Sequence, residues 1–378
     1  MFFCSRFNLM AFSLKNKDSN SKARVGSLVT KSGIVETPVF MPVCTKAVPK
    51  TLTTDNLKEM GFDMVVTNAY HLFLKPGHKA IMEYGGLHSF MNWNNSILSD
   101  SGGFQVYSLS PTAKISDEGV KFKSFIDGSV NFISPELSIE IQQHLGSDIM
   151  MIFDDCPKPD SEYSRILESI NRTKDWALRS KKSKKSESML FGIVQGGIYE
   201  DLRKTSLEHM LEIEFDGYAI GGLGLGEGQS RTYEITEQIC SMIPEDKPRY
   251  SMGIGKPEDI IKSVELGVDV FDCVVPTRNA RNGTLYTKNG KINIKNSEFH
   301  MSDKLIDEDD ANHPCLNYSL GYLRHLYTSK EMTALSLMTM NNLYFYKQLI
   351  ESIKNSIKNG KFIEFKRAFL ERYGNETD

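Results

Sequence analysis

Residues 148–195 read DIMMIFDDCPKPDSEYSRILESINRTKDWALRSKKSKKSESMLFGIVQ and carry the clearest structural pattern in the chain. The two ends of this stretch, DIMMIF (148–153) and MLFGIVQ (189–195), are nearly continuous in apolar residues, which is typical of parallel strands buried on both faces. Between them, YSRILESINRTKDWALRS (163–180) has the apolar spacing of a helix. The stretch therefore predicts two parallel strands joined by a helix.

This alternation recurs through the first three quarters of the chain. Eight apolar runs are each followed by turn residues and a polar or helical segment: PVFMPV (38–43), DMVVTN (63–68), SILSD (96–100), DIMMIF (148–153), MLFGIVQ (189–195), DGYAIGG (216–222), RYSMGIG (249–255) and VDVFDCV (268–274). Eight βα units predict an α/β fold of the (β/α)8 TIM-type barrel class, although periodicity alone also fits an open doubly wound sheet. Beyond about residue 300, long helical stretches predict a C-terminal helical appendage.

Polar or small residues end most of the predicted strands, and their positions favour the barrel. These strand-end residues are Asn68, Asp100, Asp154, Gln195, Gly222, Met252 and Asp272. In a parallel barrel the carboxyl ends of all strands meet on one face, where barrel enzymes build their active sites. An open sheet would spread the same groups along a crevice.

Composition limits the class of protein. Lys and Arg total 45 against 48 Asp and Glu, a formal net charge of −3, so any contact with nucleic acid must use a local basic patch. The six cysteines form no C-x-x-C pair, which fits a reducing cytoplasm better than a disulfide framework. No stretch approaches the roughly 20 apolar residues that cross a bilayer. We expect a cytoplasmic protein with an N-terminal extension (1–20), a catalytic barrel (21–299) and a helical subdomain (300–378).

The segment SDSGGFQVYSLS (99–110) is the most informative for chemistry. Asp100 leads into the glycine pair Gly102 and Gly103, which lets backbone N–H groups approach a ligand closely. Phe104 directly afterwards offers a stacking plane for a flat ring such as a nucleobase. A tight βα turn with Phe104 in the core explains the same residues equally well.

Three strand-end carboxylates, Asp100, Asp154 and Asp272, suggest cleavage at a sugar anomeric carbon. One carboxylate can form a glycosyl–enzyme bond while a second handles protons, and the third can read the N–H groups of a base. Any one of them alone also fits a helix N-cap. Arg278 and Arg281 follow Asp272 in a loop, where they fit either phosphate and guanine contacts or surface salt bridges.

Over almost its whole length, the chain resembles the bacterial type of the tRNA-guanine transglycosylase family, also called the queuine tRNA-ribosyltransferases. The motifs that carry the resemblance are ARVG, TPVFMPV, NAYHL, LKPG, SDSGGFQVYSL, EGVKFKSFIDGS, SPELSIEIQQHLGSDI, FDDC, GIVQGG, AIGGLGLGE, YSMGIGKPEDI and FDCVVPTRNARNGTLYT. The family is a (β/α)8 barrel that exchanges guanine at position 34 of certain tRNA anticodons for a 7-deazaguanine. The resemblance thus agrees with the strand count and implies a pentosyltransferase.

Roles transfer from the family residue by residue. The resemblance implies that Asp272 is the nucleophile and Asp100 the general acid/base. The implied base-binding residues are Ser101, Gly102, Gly103, Phe104, Asp154, Cys156, Gln195, Gly222, Leu223 and Met252, with Asn68 and His71 as further pocket residues. The implied tRNA-binding residues are Gly253, Ile254, Gly255, Lys256, Pro257, Glu258, Asp259, Thr277, Arg278, Asn279, Ala280 and Arg281.

Two departures from the family pattern modify these expectations. The family holds zinc with three cysteines and a histidine, but the matching positions here are Asp310, Asn312, Cys315 and Asn341. We therefore expect no metal and no cofactor, and expect an apolar core around the former metal position. It should use Tyr318, Leu320, Tyr322 and Leu323, together with Leu316 and with Leu335, Leu337, Leu343 and Tyr344 of the following helix.

The second departure concerns the substrate. Leu225 stands in GGLGLGE where queuine-using relatives have glycine, which together with Cys156 implies the small base preQ1 (7-aminomethyl-7-deazaguanine). The alternatives are a queuine-salvaging enzyme, a non-catalytic partner subunit, or an RNA-binding scaffold on a degenerate barrel. Expected partners are tRNA with G34 and the free base, and a homodimer is one possible assembly.

Overall fold

A parallel barrel forms the centre of the molecule, whose computed structural model describes residues 11–109, 113–308, 310–315 and 317–374. The strands are β1 (Phe12–Lys17), β2 (Arg24–Thr30), β3 (Gly33–Thr37), β4 (Val39–Met41), β5 (Val43–Cys44), β6 (Met64–Asn68), β7 (Ser96–Asp100), β8 (Lys114–Ser116), β9 (Gly119–Lys123), β10 (Val130–Ile133), β11 (Ile149–Met151), β12 (Met189–Val194), β13 (Gly217–Ile220), β14 (Arg249–Ser251), β15 (Val270–Asp272), β16 (Thr284–Thr287) and β17 (Gly290–Asn293).

Helices follow most of the barrel strands and cover the outside of the barrel. They are α1 (Thr54–Glu59), α2 (Ala69–Leu74), α3 (His78–Glu83), α4 (Gly86–Phe90), α5 (Gly103–Leu109), α6 (Pro135–Leu145), α7 (Tyr163–Ser183), α8 (Glu200–Ile213), α9 (Gln229–Met242), α10 (Pro257–Glu265), α11 (Val275–Arg281), α12 (Leu320–Thr328), α13 (Met332–Lys358) and α14 (Phe362–Tyr373), with a 3-10 turn at Ser297–Phe299. Within the described residues, no helix is both long and apolar enough to cross a membrane.

The barrel closes through its first strand. The nine-stranded sheet runs β4-β15-β14-β13-β12-β11-β7-β6-β5, with β4 paired to β15 and β5 paired to β6, all parallel. Pro42 separates β4 from β5, because proline has no N–H to give to the ladder. The two halves act as one bent strand, so the predicted eight-stranded barrel is confirmed and the open-sheet alternative is wrong.

All eight predicted strands are present, and most are shorter than the predicted apolar run. The run at 249–255 is strand only to Ser251, because the chain turns at Gly253, whose φ is 74°. Glycine takes this left-handed conformation without strain. The run at 148–153 narrows to Ile149–Met151. Met252 and Asp154 therefore lie beyond the ends of their strands, in the loops above the barrel.

Three smaller sheets surround the barrel. Strands β1–β3 form an antiparallel sheet whose apolar face joins the barrel core through Phe12, Val25 and Leu28. Arg24 fastens this sheet to the start of β15 through two hydrogen bonds to the buried Asp269 (2.9 and 2.6 Å). Strands β8–β10 form an antiparallel insertion between α5 and α6, and β16 pairs with β17 ahead of the C-terminal helices.

The C-terminal region is helical, as predicted. Apolar residues of α12 and the first half of α13 pack together with Leu285 and Ile294 of the β16–β17 region. The second half of α13 and α14 instead contribute Leu349, Ile353 and Phe369 to the barrel core. The division of the chain at residue 300 into separate domains stays a prediction.

Candidate active site

A cavity of about 540 Å³ opens at the carboxyl ends of the barrel strands. Sixteen of the predicted site residues line it: Asp100, Ser101, Phe104, Asp154, Cys156, Gln195, Gly222, Leu223, Met252, Gly253, Ile254, Gly255, Lys256, Asp259, Asp272 and Arg278. Its volume is in the range of pockets that bury a small-molecule ligand. The closed barrel thus brings together groups that lie as far apart as residues 100 and 278 in sequence.

Asp100 lies at the end of β7 and is held by its neighbours on both carboxylate oxygens. Asn68 Nδ2 donates to Oδ2 at 2.6 Å, while the backbone N–H groups of Ala69 and Gly102 donate to Oδ1 at 3.1 and 3.2 Å. Asn68 stands directly beside Asp100 in the β6–β7 register and also caps α2. The carboxylate is therefore fixed in orientation by groups of two adjacent strands.

Asp154 is buried and linked to the neighbouring strands by side-chain hydrogen bonds. Gln195 Nε2 donates to Oδ2 at 2.8 Å and Ser101 Oγ donates to Oδ1 at 3.2 Å. The Gln195 backbone N–H in turn donates to Ser206 Oγ at 3.1 Å. Asp154 and Gln195 thus form a polar pair on the cavity wall that can both accept and donate hydrogen bonds.

Asp272 ends β15 and accepts two hydrogen bonds on a single oxygen. Tyr250 Oη donates to Oδ1 at 2.6 Å, and the Gly253 N–H donates to the same atom at 3.0 Å. Neither bond uses the second oxygen, Oδ2, and Asp272 lines the cavity. Sequence reasoning missed Tyr250, although it lies inside a predicted strand two residues before Met252, on the same face.

The pKa values of the three carboxyl groups are all raised. Burial is the main cause for Asp100, and repulsion from Asp272 and Asp154 adds to it, so that its pKa reaches about 7 despite hydrogen bonds that oppose the shift. Burial likewise raises the pKa of Asp154 to about 6 and raises the pKa of Asp272. Asp100 therefore exchanges a proton close to neutral pH, as a general acid/base must.

The turn SDSGGF (99–104) ends in Phe104, whose ring lies on the wall of the cavity and is partly exposed to solvent. Gly102 has φ 82°, and a Cβ at Gly103 would lie 2.7 Å from the Asp154 carbonyl oxygen, so neither position accepts a side chain. Phe104 is 40% exposed and lines the cavity. The alternative that places Phe104 in the core is therefore wrong.

The loop after β13 contributes backbone groups to the cavity. Gly222 has φ 65°, and a Cβ there would lie 2.6 Å from Gln195 Oε1. The buried Arg203 holds this turn by donating to the carbonyl oxygens of Gly221 (2.7 Å) and Gly222 (3.4 Å). Leu225 is 46% exposed on the cavity wall. The structure therefore makes Arg203 a supporting residue that sequence reasoning did not identify.

The remaining cavity wall is apolar or weakly polar. Leu223 is buried, Met252 is half-buried, and Cys156 is a buried thiol whose pKa burial raises to about 12. A thiol in this state is neutral and unreactive at neutral pH. These residues therefore supply a surface for a flat ring rather than a reactive group.

The predicted tRNA-binding residues divide into exposed and buried groups. Gly253, Lys256 and Arg278 are exposed at the rim, while Glu258, Asp259, Asn279 and Arg281 are half-buried. Ile254, Gly255, Pro257, Thr277 and Ala280 are buried and hold α10 and α11 in place. Neither Arg278 nor Arg281 forms an ion pair with a described residue, so the salt-bridge alternative is not realised there.

The four residues at the former zinc position do not form a tetrahedral metal site. Asn341 Oδ1 is 3.0 Å from His313 Nε2, Cys315 Sγ donates to the Leu337 carbonyl oxygen at 3.2 Å, and Asn312 is exposed. Asp310 instead accepts a hydrogen bond from Tyr344 Oη at 3.0 Å. Zinc needs several N or S donors, and of these four residues only Cys315 offers one that zinc binds well. The residues present do not fit the ion.

An apolar core does surround Cys315, but its membership differs from the expectation. Leu320, Leu323 and Leu337 belong to it, whereas Tyr318 and Tyr322 are exposed and Leu343 packs in another cluster. In α12 the buried residues are Leu320, Leu323 and Leu326, so position 322 lies on the opposite helical face. Leu335 is half-buried, Tyr344 packs edge-on against the His313 ring, and Leu316 lies outside the described residues.

Comparison with known proteins gives one consistent family. A family model described as queuine tRNA-ribosyltransferase matches residues 18–375. A queuine tRNA-ribosyltransferase of Caldanaerobacter subterraneus is 50% identical over 365 residues, which is 96% of this chain and 97% of the relative. Proteins of the same name from Fusobacterium nucleatum (48% over 363 residues, 95% and 97%) and Halothermothrix orenii (46% over 369 residues, 97% and 99%) match similarly.

Proposed function

Because the chain belongs to the queuine tRNA-ribosyltransferase family, we propose that it is a pentosyltransferase that replaces guanine 34 of a tRNA anticodon with preQ1. The observation that carries the proposal is the convergence of Asp100, Asp154 and Asp272 on one cavity with three different sets of hydrogen-bond donors. Different donors give the three carboxyl groups different chemistry, which a double displacement requires.

The first displacement uses Asp272 as nucleophile. Its Oδ2 attacks C1′ of guanosine 34, the glycosidic bond breaks, and guanine leaves after accepting a proton from Asp100. The bonds from Tyr250 and Gly253 to Oδ1 hold the carboxylate so that Oδ2 faces the sugar. The product is a ribosyl–aspartate ester with inverted configuration at C1′.

The second displacement restores the configuration. preQ1 enters the vacated cavity, Asp100 accepts the proton from N9, and N9 attacks C1′ as Asp272 leaves. Two inversions give net retention, which is the stereochemistry of a retaining glycosidase with a base in place of water. The pKa of about 7 suits Asp100 to both proton transfers.

Base recognition falls to Asp154 and Gln195. Asp154 can accept hydrogen bonds from the N–H groups of guanine, and Gln195 offers both an amide donor and an acceptor. Phe104 and Met252 line the cavity where a flat ring would lie between them. Because guanine 34 has to leave its stacked neighbours to reach this depth, we propose that the nucleotide is extruded on binding.

The choice of preQ1 over queuine rests on Leu225. Its exposed side chain lies on the cavity wall beside Gly224, in the loop that Glu227 holds by accepting the Leu225 N–H at 3.0 Å. A branched side chain there leaves room for an aminomethyl substituent and obstructs a cyclopentenediol. A queuine-salvaging activity is the alternative within the same chemistry.

Exchange of radiolabelled guanine into tRNA tests the activity. The unmodified protein should incorporate label into a tRNA with G34 and none into the same tRNA with A34. Subsequent addition of unlabelled preQ1 should release the label, whereas queuine should release it far more slowly. A protein that binds this tRNA without exchange would instead be a non-catalytic partner subunit or an RNA-binding scaffold.

A further inference from the structure

Two histidines and a glutamate lie together on the outside of the barrel, between α3 and α6. His78 begins α3, while Glu140 and His144 lie one turn apart on α6. One ligand atom from each residue lies within 4.8 Å of the other two, and within the described residues this is the one such group. None of the three lines the cavity, so the cluster is separate from the proposed active site.

The facing nitrogen atoms of this cluster have no hydrogen-bond partners among the described residues. His78 is 7% exposed, and neither its Nε2 nor the buried Nδ1 of His144 is satisfied. Both nitrogens face the same oxygen, Glu140 Oε1, at 3.7 and 4.0 Å, which is beyond hydrogen-bonding distance. Buried polar atoms are normally paired, so this arrangement calls for a missing partner.

Ring packing fixes the position of the two imidazoles. The two imidazole rings stack in parallel with centroids 5.2 Å apart, and Phe73 covers the other face of His78 at 5.6 Å. The rings are therefore held in place on the outside of the barrel.

We propose that His78, Glu140 and His144 bind one divalent transition-metal ion of the zinc class. Two imidazole nitrogens and one carboxylate oxygen suit Zn²⁺, Co²⁺ or Ni²⁺, whereas Mg²⁺ and Ca²⁺ require oxygen ligands. Ligand-to-metal distances of about 2.0–2.2 Å need a small contraction of the cluster. Glu140, whose side chain is 48% exposed, can approach the two imidazoles, and a small rotation of the His144 ring would complete the contraction. A water molecule would complete the tetrahedron from the solvent side.

The ion would clamp α3 to α6. Helix α6 also supports the barrel, because Ser138 Oγ donates to the Ser101 carbonyl oxygen at 2.8 Å and Gln142 Nε2 donates to the Met151 carbonyl oxygen at 2.9 Å. A ligand that binds only the folded state raises the melting temperature in proportion to the logarithm of its concentration. We therefore expect Zn²⁺ to stabilise the protein against heat.

The test uses untagged full-length protein stripped with chelator and titrated with Co²⁺, followed by its visible absorption and by Zn²⁺ competition. We expect one Co²⁺ per chain, displaced by Zn²⁺, with a rise in melting temperature. His78→Gln and His144→Gln should each weaken Co²⁺ binding by at least roughly 10- to 100-fold. Loss of a group that only orients a metal ligand already weakens binding by that factor, and these variants remove a ligand itself. Glu140→Gln, a nearly isosteric change at an exposed position, should do the same.

Two control variants locate the ion. His209→Gln changes another half-buried histidine whose Nδ1 also lacks a partner but has no second histidine beside it, and it should bind Co²⁺ normally. His313→Gln changes the former zinc region and should also bind normally. Absence of Co²⁺ binding in the unmodified protein would overturn the proposal. Binding that stays unchanged in Glu140→Gln, His78→Gln and His144→Gln would also overturn it. So would binding that is lost only in His313→Gln.

Discussion

At the scale of single residues, the two carboxylates at the ends of β7 and β15 differ in their donors. Asp272→Asn should abolish both guanine exchange and the covalent tRNA adduct, because a neutral amide is not a nucleophile for C1′. Asp100→Asn should reduce turnover by on the order of 100-fold or more while tRNA affinity stays close to normal, because only proton transfer is lost. A denaturing gel detects the adduct, and an adduct of normal yield with Asp272→Asn would disprove the assignment.

We expect Tyr250 to influence the pH dependence of the proposed covalent step. Asp272 must be ionised to attack, so the rate rises with pH through its pKa, and it falls again as Asp100 loses its proton near pH 7. The hydrogen bond from Tyr250 lowers the pKa of Asp272 against the effect of burial. Tyr250→Phe removes that bond and should move the ascending limb to higher pH, leaving the descending limb in place.

Single-turnover adduct formation between pH 5 and 9 measures this shift. Tyr70→Phe is the matched control, because Tyr70 is also buried near the site but its hydroxyl has no partner among the described residues. It should leave both limbs unchanged. An ascending limb that stays put in Tyr250→Phe would mean that Tyr250 does not tune Asp272.

At the scale of elements, we expect the loop between β13 and α9 to determine which base is used. Leu225→Gly should increase queuine incorporation relative to preQ1, because the branched side chain no longer obstructs the larger substituent. Glycine fits locally, since positions 224 and 226 are already glycine with positive φ. Competition between the two bases in the exchange assay gives the ratio. Equal use of queuine and preQ1 by the unmodified enzyme would contradict this account of the loop.

Helix α11 provides the cationic edge of the site. Arg281 has its pKa lowered by burial and by the nearby charge of Arg278, so the two guanidinium groups concentrate positive charge that a phosphate would relieve. With a net charge of −3 overall, tRNA binding must depend on such local cations and weaken with salt. Arg278→Ala should lower tRNA affinity and reduce the salt slope by about one.

Binding isotherms from 50 to 200 mM salt measure that slope, a range over which counterion release predicts a large loss of affinity. Lys204→Ala on the outer helix α8 is the control for removal of one exposed positive charge, and it should change neither affinity nor slope. The affinity for preQ1 should be the same in all three proteins. Salt-independent binding by the unmodified protein would rule out this electrostatic account.

At the scale of the whole molecule, the C-terminal region packs against the barrel and the β16–β17 region through apolar side chains. The apolar cluster around Cys315 and the His313–Asn341 contact lie where the sequence resemblance implies a zinc site. The protein should therefore stay folded and active in chelator, whereas loss of a structural zinc would remove on the order of 10 kcal/mol of folding free energy. Circular dichroism and exchange activity in excess chelator check this. The prediction would be wrong if the purified protein needed bound zinc to fold and if His313→Gln lost that zinc.

The sequence by itself determined the succession of eight buried strands and favoured a barrel over an open sheet. One face of each barrel strand points into the barrel interior and the other packs against helices, so both faces are buried. Each strand therefore appears in the sequence as a short, nearly continuous apolar run. The order of these runs and the polar residue after each one predicted where Asp100, Asp154 and Asp272 would meet. These features depend only on local composition and on the rule that parallel strands share one carboxyl edge.

Only the tertiary structure decided which neighbours act on those carboxylates. Tyr250 reaches Asp272 because β14 and β15 are adjacent in the closed barrel, and Arg203 holds the Gly222 turn from a helix two elements earlier. Tyr322 turned outward because the register of α12 places Leu320 and Leu323 inward. Such contacts depend on the direction in which each side chain points once the strands and helices have packed. That direction is set by strand register and helix orientation in the folded molecule, which residue order alone does not give.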